Sequence, residues 1–367
     1  MRIAILELYC GQSGKSGYYN SQEIGLAKAY EGMGHNVFVV LPNNKIKQSE
    51  IIPLTENITI VYMPAKVIGV HSFYRLSCLK KWGIDLVHID ADNQIYAVHV
   101  MKFCLKNQIR FYNYVGTISS DSDKCIKRFL SGIMSRTNIK MYSKTDTFVK
   151  TERVQQLLLQ RGVKNTIVEP VGLDFDFIPI IAEDKEQIRE RLHLPKQKKL
   201  LLFVGRLEEY KKPMDAVLLL NEMNNEYVLI MIGNGTQKKQ ILQKTYQLGA
   251  QNRIIFIDKI LNSEIHQYYK AADCLINFNE KEIFGMSILE AIYQGCPVVA
   301  KHAPGPDTIV QQGITGFLCD TLGEMKTRIM NMNITMPENI KTLMKENFSW
   351  NNTAKSILAQ LNIDTEK

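Results

Sequence analysis

Arg206 and Lys211 follow the apolar run LLLFVG five residues apart, and Glu282 and Glu290 stand eight residues apart in EIFGMSILEA. Two cations on one strand-to-helix loop can neutralise a diphosphate as it leaves, because fixed positive charge needs no reorganisation when negative charge develops. Gly285, Met286 and Ser287 would open the helix that carries Glu290, where free N–H groups and the positive dipole end suit a phosphate. Glu282 stands just outside that helix. Glu290 lies more than one turn inside it, among Ile288, Leu289, Ala291 and Ile292, and needs a hydrogen-bonding partner such as the vicinal hydroxyls of a ribose. Taken singly, these features also fit a solvated basic loop, a carboxylate at a helix N-terminus and a structural salt bridge. The run YVLIMIG ends in GNGT, where Gly233 and Gly235 allow close approach of backbone to a ligand, or a plain turn.

A second glycine-rich stretch, YCGQSGKSGYY at 9–19, follows the apolar run RIAILEL. It contains Gly-Lys-Ser, but a phosphate-wrapping P-loop needs a glycine five residues before that Gly, and Tyr9 stands there. The stretch therefore reads as a turn between a strand and a helix whose backbone amides can still face an anion.

The elements that must position these residues alternate along the chain. RIAILEL is followed by a helix over 21–33, then by HNVFVVL, ITIVYM, a helix near 72–81, DLVHID, IRFYNYV, a helix near 122–135 and DTFVKT. This is the rhythm of a parallel sheet with crossover helices. A charged stretch, AEDKEQIRERLHLPKQKK, follows VEPVGLDFDFIP and marks a junction around 175–195. A second series then runs from LLLFVG through YVLIMIG, RIIFI, DCLINF, PVVA and GFLC, with helices between. The expected organisation is a doubly wound domain over 1–180, a second over 181–348, and a C-terminal helix over 349–367 with apolar spacing suited to packing on its neighbour. Ligands of open parallel sheets bind at the carboxyl ends of the strands, so a cleft between two facing domains is the expected site.

At 367 residues the chain is long enough for two cores. No apolar stretch approaches the roughly 20 residues of a membrane span, and the apolar part of the N-terminus is short for a signal peptide, so a cytoplasmic protein is expected. The seven cysteines lack a C-x-x-C pair and sit mostly in apolar runs, as small buried hydrophobes do in a reducing compartment. A net charge of +8 suits an anionic partner. No basic tail, zinc pattern or aromatic RNA-binding signature accompanies it, so nucleic acid is not expected.

GRLEEYK, EIFGMSILEA and GCPVVA…GITGFL, together with AKAYEGMGHNVFVV and VEPVGLDFDFIP, resemble the retaining glycosyltransferases of the GT-B fold, in the large group numbered four. The resemblance covers nearly the whole chain in the expected order. It implies a GT-B enzyme whose first domain binds the acceptor and whose second binds a nucleotide-sugar, UDP-linked. It also implies Arg206 and Lys211 on the donor diphosphate, Glu282 on the hydroxyls of the transferred sugar and Glu290 on the ribose. The segment from Gly205 and the strand-end Gly233 would line the donor, and the backbone of Phe284, Gly285, Met286 and Ser287 would hold phosphate and sugar. Lys259 and Ile260 match the place where main chain holds the base, and Gly17 matches the first loop glycine. Two departures stand out: Tyr18 occupies the second loop glycine's place, and Tyr114 and Thr117 stand where many members carry a histidine, with His88 as a substitute.

No cofactor is expected beyond the donor, and no acidic pair with metal spacing accompanies the cations. The acceptor would be a glycan or a lipid-linked sugar in surface polysaccharide or glycolipid synthesis. DKCIKRFLSGIMSR sets Ile126, Phe129, Leu130 and Ile133 on one helical face among Lys124, Lys127, Arg128 and Arg136. Such a helix suits peripheral contact with an anionic membrane on its cytoplasmic side, or an ordinary core-facing role. An epimerase on the same plan and a non-catalytic relative are the alternatives; incubation with donor alone separates the former, since an epimerase needs no acceptor.

Overall fold

The computed structural model describes residues 1–10, 22–118 and 125–363. The chain forms two compact units, Met1–Asp174 with Asn347–Lys367, and Phe175–Glu346.

The first unit carries β1 (Arg2–Glu7), α1 (Gln22–Gly32), β2 (Asn36–Asn43), β3 (Glu50–Pro53), β4 (Ile58–Pro64), β5 (Lys66–Ile68), β6 (His71–Phe73) and α2 (Ser77–Lys81). It continues with β7 (Leu86–Asp90), α3 (Ala97–Lys106), β8 (Arg110–Val115), α4 (Cys125–Tyr142), β9 (Thr147–Val149), α5 (Glu152–Leu159) and β10 (Thr166–Val168). The main sheet runs β10-β9-β8-β7-β1-β2-β4-β3, parallel except for the edge pair β3–β4. Its inner strands are apolar runs buried on both faces, as a sheet covered by helices on each side requires. Strand order reverses between β1 and β7, where Glu7 and Asp90 end the two strands in register.

The expected helix near 72–81 is only in part a helix. His71–Phe73 instead pairs with Lys66–Ile68 in a hairpin that turns at Gly69 with φ +64°, and helix begins at Ser77. The Ser72 hydroxyl and N–H both donate to the Leu8 carbonyl, which pulls this segment into extended backbone.

In the second unit come α6 (Lys185–Arg191), β11 (Lys199–Val204), α7 (Pro213–Asn221), β12 (Tyr227–Ile232), α8 (Lys238–Gln247), β13 (Ile254–Ile257), α9 (Asn262–Ala271) and β14 (Cys274–Asn277). They are followed by α10 (Met286–Tyr293), β15 (Val298–Lys301), α11 (Pro304–Ile309), β16 (Gly316–Cys319), α12 (Leu322–Met330) and α13 (Ile340–Phe348). The sheet is wholly parallel in the order β13-β12-β11-β14-β15-β16, and it reverses between β11 and β14. The charged junction stretch contains α6, which starts with a capping box: Asp184 accepts from the Gln187 N–H while the Gln187 side chain accepts from the Asp184 N–H.

The chain returns to the first unit with α14 (Trp350–Gln360), which packs on α1. Trp350 fixes that contact. A Cβ at Gly25 would stand 2.3 Å from its ring, and one at Gly172 would stand 2.3 Å from its backbone nitrogen, so only glycine lets the helix settle there. Among the described residues no helix is long and apolar enough to cross a membrane.

Candidate functional site

The loops that leave β11 and β14 start side by side at the reversal of the second sheet, the place where open parallel sheets bind ligands. The β11 loop carries Gly205, Arg206 and Lys211, and the β14 loop carries Glu282. Lys211 and Glu282, 71 residues apart in sequence, meet as an ion pair, with Nζ 2.5 Å from Oε2. Their side chains are 20% and 13% exposed, so the pair is largely withdrawn from water without being sealed off. Asn279 Nδ2 donates to the same carboxylate oxygen at 3.1 Å and Asn277 Nδ2 at 3.5 Å. Asn277 Oδ1 also accepts from the Asn279 N–H, which locks the turn from which Glu282 projects.

Lys211 closes a single 3₁₀ turn, Glu209–Lys211, and Lys212 then takes a left-handed conformation, φ 50°, before Pro213 opens α7. Proline fits that first helical position because its missing N–H would have no partner there. Arg206 is exposed; its Nη2 donates to the Tyr210 hydroxyl at 2.5 Å and its guanidinium lies 5.3 Å from the ring centroid. Lys212 pairs with Glu280 at 2.6 Å, leaving Lys211 as the cation turned toward Glu282.

Gly233 and Gly235 make their close approach to the β11 loop. A Cβ on Gly233, whose φ is +147°, would lie 1.9 Å from the Gly205 carbonyl oxygen, and one on Gly235 would lie 2.5 Å from that of Leu207. Glu208 ties the same loops together, accepting from the Thr236 hydroxyl at 2.6 Å and its N–H at 3.0 Å. Those bonds, the hydroxyl first, hold its carboxyl below the usual range. The β14 side is built in a similar way. Gly305 donates its N–H to the Glu282 carbonyl, and a Cβ there would stand 1.8 Å from the carbonyl oxygen of the buried Phe284.

Gly285, expected in the first helical turn, is the residue before it, left-handed at φ +98°; Met286 and Ser287 are the first two helical residues, half-exposed. Their N–H groups lie in the first turn, where no intrahelical carbonyl can receive them. Glu290, one turn on, accepts from the hydroxyl of the fully buried Tyr269 at 2.9 Å. Lys259 and Ile260 follow β13, two strands from β11, the lysine exposed and the isoleucine half-buried. Gly17 and its loop lie outside the described residues, as do the side chains of the proposed apolar face of α4.

The pattern of apolar runs found the two loops, but it missed Asn277, Asn279, Glu208 and Tyr269. The asparagines ending DCLINFN were the available signal, since amides at a strand's end fix turns.

In the first unit His88 is a satisfied strand residue. Its Nδ1 lies 2.7 Å from the Tyr112 hydroxyl, which in turn meets the Tyr30 hydroxyl at 2.6 Å. Burial, with Lys150 nearby, pushes the imidazole down to about 3, so it is neutral. Tyr114 donates to the Glu169 carbonyl at 3.0 Å. Beside them the fully buried Lys150 bridges Asp90 at 3.1 Å and Asp92 at 2.8 Å. Among the described residues, the one group of three possible metal ligands is Glu7, Glu23 and Asp90 of this unit, within 4.8 Å of one another; none lies beside Lys211.

The chain thus comprises two doubly wound α/β units, the second with a paired cation and carboxylate at its strand-order reversal. Residues 184–327 match the family model described as glycosyl transferases group 1. Over 161 residues the chain is 31% identical to a D-inositol 3-phosphate glycosyltransferase of Xylanimonas cellulosilytica, a match covering 42% of this chain and 39% of that one. Over 356 residues, 89% of each chain, it is 26% identical to an uncharacterised glycosyltransferase of Methanocaldococcus jannaschii. Anabaena HepE, solved with UDP and glucose, superposes with a TM-score of 0.73 at 20% identity, covering 99% of both chains. The second unit thus resembles the group 1 glycosyl transferases, the chain spans about two fifths of the length of the first of these relatives, and its fold is GT-B.

Proposed function

We propose that the protein transfers a sugar from a nucleotide-sugar, UDP-linked, to an acceptor hydroxyl with retention of configuration and without a metal ion. The observation that carries this reading is the meeting of Lys211 and Glu282 beside Arg206 and the N-terminus of α10. In the reaction the bond from the anomeric carbon to the diphosphate oxygen breaks and its electron pair stays on phosphate. The acceptor oxygen attacks from the same face, and its proton passes to the departing phosphate oxygen.

Arg206, Lys211 and the free N–H groups at the start of α10 stabilise the charge that develops on the diphosphate. Glu282 takes two roles in this account. It anchors the Lys211 ammonium, so that the cation is fixed before the donor arrives, and it accepts from sugar hydroxyls with its remaining lone pairs. Glu290 accepts from the ribose, with Tyr269 holding the carboxylate in place. A donor base of uridine type is supported by fold likeness to a protein solved with UDP, and glycolipid synthesis by 22% identity over 278 residues to an alpha-monoglucosyldiacylglycerol synthase of Streptococcus pneumoniae.

The division of labour between the carboxylates is directly testable. Glu290→Gln should weaken UDP binding by about tenfold, the cost of one charge-assisted hydrogen bond, whereas Glu282→Gln should leave UDP affinity nearly unchanged and depress sugar transfer. Calorimetry with plain UDP and turnover with UDP-sugars read the two effects separately. Equal losses of UDP affinity in both variants would overturn the assignment.

A further inference from the structure

The loop that leaves β11 carries Arg206, Lys211 and Lys212, and the three cations are not held alike. Lys211 pairs with Glu282 and Lys212 with Glu280, so each shares its charge with a carboxylate. Among the described residues, Arg206 is the cation of this loop that pairs with no carboxylate. Glu208, two residues on, has its carboxylate committed to the Thr236 hydroxyl and N–H. The guanidinium is held instead by a phenol four residues along the chain. Its Nη2 donates to the Tyr210 hydroxyl at 2.5 Å, and its central carbon lies 5.3 Å from the centroid of the ring. The Lys211 ammonium lies 5.6 Å from the centroid of the same ring. Both distances fall within the roughly 6 Å over which an aromatic face attracts a cation.

The backbone fixes the phenol more firmly than the arginine. Leu207 is fully buried; its N–H donates to the Asn234 carbonyl and its own carbonyl accepts from the Gln237 N–H, each at 2.9 Å, so the loop is pinned one residue past Arg206. The chain then closes the turn Glu209–Lys211, where the Lys211 N–H donates to the Glu208 carbonyl and the Lys212 N–H to that of Glu209, each at 3.0 Å. Tyr210 stands at the centre of that turn, half-buried, whereas Arg206 is exposed and depends on side-chain contacts for its orientation. A carboxylate would orient a guanidinium equally well, but it would cancel much of the charge that a diphosphate needs. An uncharged phenol accepts the hydrogen bond and offers an electron-rich face, so it orients the cation and leaves its charge intact.

We propose that Tyr210 is a positioning residue for the transfer reaction, setting the Arg206 guanidinium for the donor diphosphate without neutralising it. The inference rests on the reading of Arg206 as a diphosphate ligand. An arginine held in place beforehand loses less freedom when phosphate arrives, and its planar fork presents N–H groups to two oxygens at once. The ring also attracts Lys211, which offsets the repulsion between two cations that must face one ligand. The effect is specific to the diphosphate: a nucleoside, which lacks it, gains nothing from Tyr210.

The test uses the full chain, the tightest-binding of UDP, GDP and ADP, its parent nucleoside, and the preferred nucleotide-sugar for turnover. Tyr210→Phe keeps the ring and removes the hydroxyl; it should weaken diphosphate binding and lower kcat/KM about three- to tenfold, the range for one hydrogen bond, while nucleoside affinity stays as in wild type. Tyr210→Glu should lose more than Tyr210→Phe, because a carboxylate there pairs with Arg206 and repels the diphosphate. In the Arg206→Ala background, Tyr210→Phe should add no more than about a twofold loss. Fully additive losses, or a nucleoside affinity that falls as far as the diphosphate's, would show that Tyr210 acts on the loop as a whole and overturn the inference. Tyr210→Phe that matches wild type while Arg206→Ala weakens the diphosphate would overturn it too and leave Arg206 in its role. Absence of diphosphate binding, or wild-type affinity in Arg206→Ala, would remove the reading of Arg206 and the inference with it; circular dichroism of each variant shows that the fold is kept.

Discussion

Lys211→Ala is expected to lower turnover by about 10²–10³-fold, equivalent to ~2.7–4 kcal/mol, while UDP affinity falls much less. The difference follows from where the charge acts. Lys211 is fixed by Glu282 at 2.5 Å, in a turn set by Lys212 and Pro213, so in the proposed reaction it would meet the diphosphate already oriented. In the proposed reaction, ground-state UDP would have Arg206, the α10 N-terminus and Glu290 to hold it, whereas negative charge appearing on the leaving oxygen would depend more on Lys211. Removing the lysine would also leave the Glu282 carboxylate, with Asn277 and Asn279 as its amide donors, facing that charge, which adds repulsion where attraction was needed. Steady-state kinetics with the preferred UDP-sugar, paired with UDP calorimetry, checks it. Turnover within about threefold of wild type would remove Lys211 from the mechanism.

The second large effect concerns the first unit. Lys150→Met should destabilise it by about 3–5 kcal/mol at pH 8, because the substitution keeps the apolar stem and removes the one charge that compensates two carboxylates. Lys150 is fully buried between Asp90 and Asp92. Burial alone would lower its ammonium; Asp90 and then Asp92 hold it well above its ordinary value. Asp90 is already pushed up to about 7 by burial, then by Asp92, with Lys150 opposing. The pH dependence has a definite sign. Below about pH 5 Asp90 is protonated with or without the lysine, so the loss should shrink there and grow as pH rises through 7. Both tryptophans, Trp82 and Trp350, lie in the first unit, so their fluorescence during urea unfolding reports on it selectively. A loss that is the same at pH 5 and pH 8 would mean that packing, not charge, explains Lys150.

How much of this was legible beforehand differs by element. Strands such as RIAILEL, LLLFVG and YVLIMIG stood out because both faces of a covered parallel sheet are apolar, and the chemistry-bearing residues follow them directly. The pairing of Lys211 with Glu282 could not be read from spacing, since 71 residues separate them and only the order β11-β14 makes their loops neighbours. Glycines 233 and 235 were visible as residues that allow close approach, whereas Gly305 was not singled out. What the three approach, the carbonyls of Gly205, Leu207 and Phe284, is a tertiary fact. The segment 72–81 misled for a related reason: SFYRLSCLKK has helical spacing, yet Leu8 offers Ser72 a carbonyl that only the folded sheet brings near. In α6 the signal was present, as Asp184 and Gln187 stand at capping-box spacing, but the density of charge around them made the stretch read as a junction.

The central claim, a nucleotide-sugar site at the β11–β14 reversal that needs no metal, is tested most directly by titrating UDP calorimetrically in EDTA into the wild-type protein and into Arg206→Ala with Glu290→Gln. The account predicts one binding event in wild type without any divalent cation, weakened at least about tenfold in the double variant through loss of two charge-assisted contacts. UDP binding that appears only after a divalent cation is added, or that persists unchanged in the double variant, would contradict it.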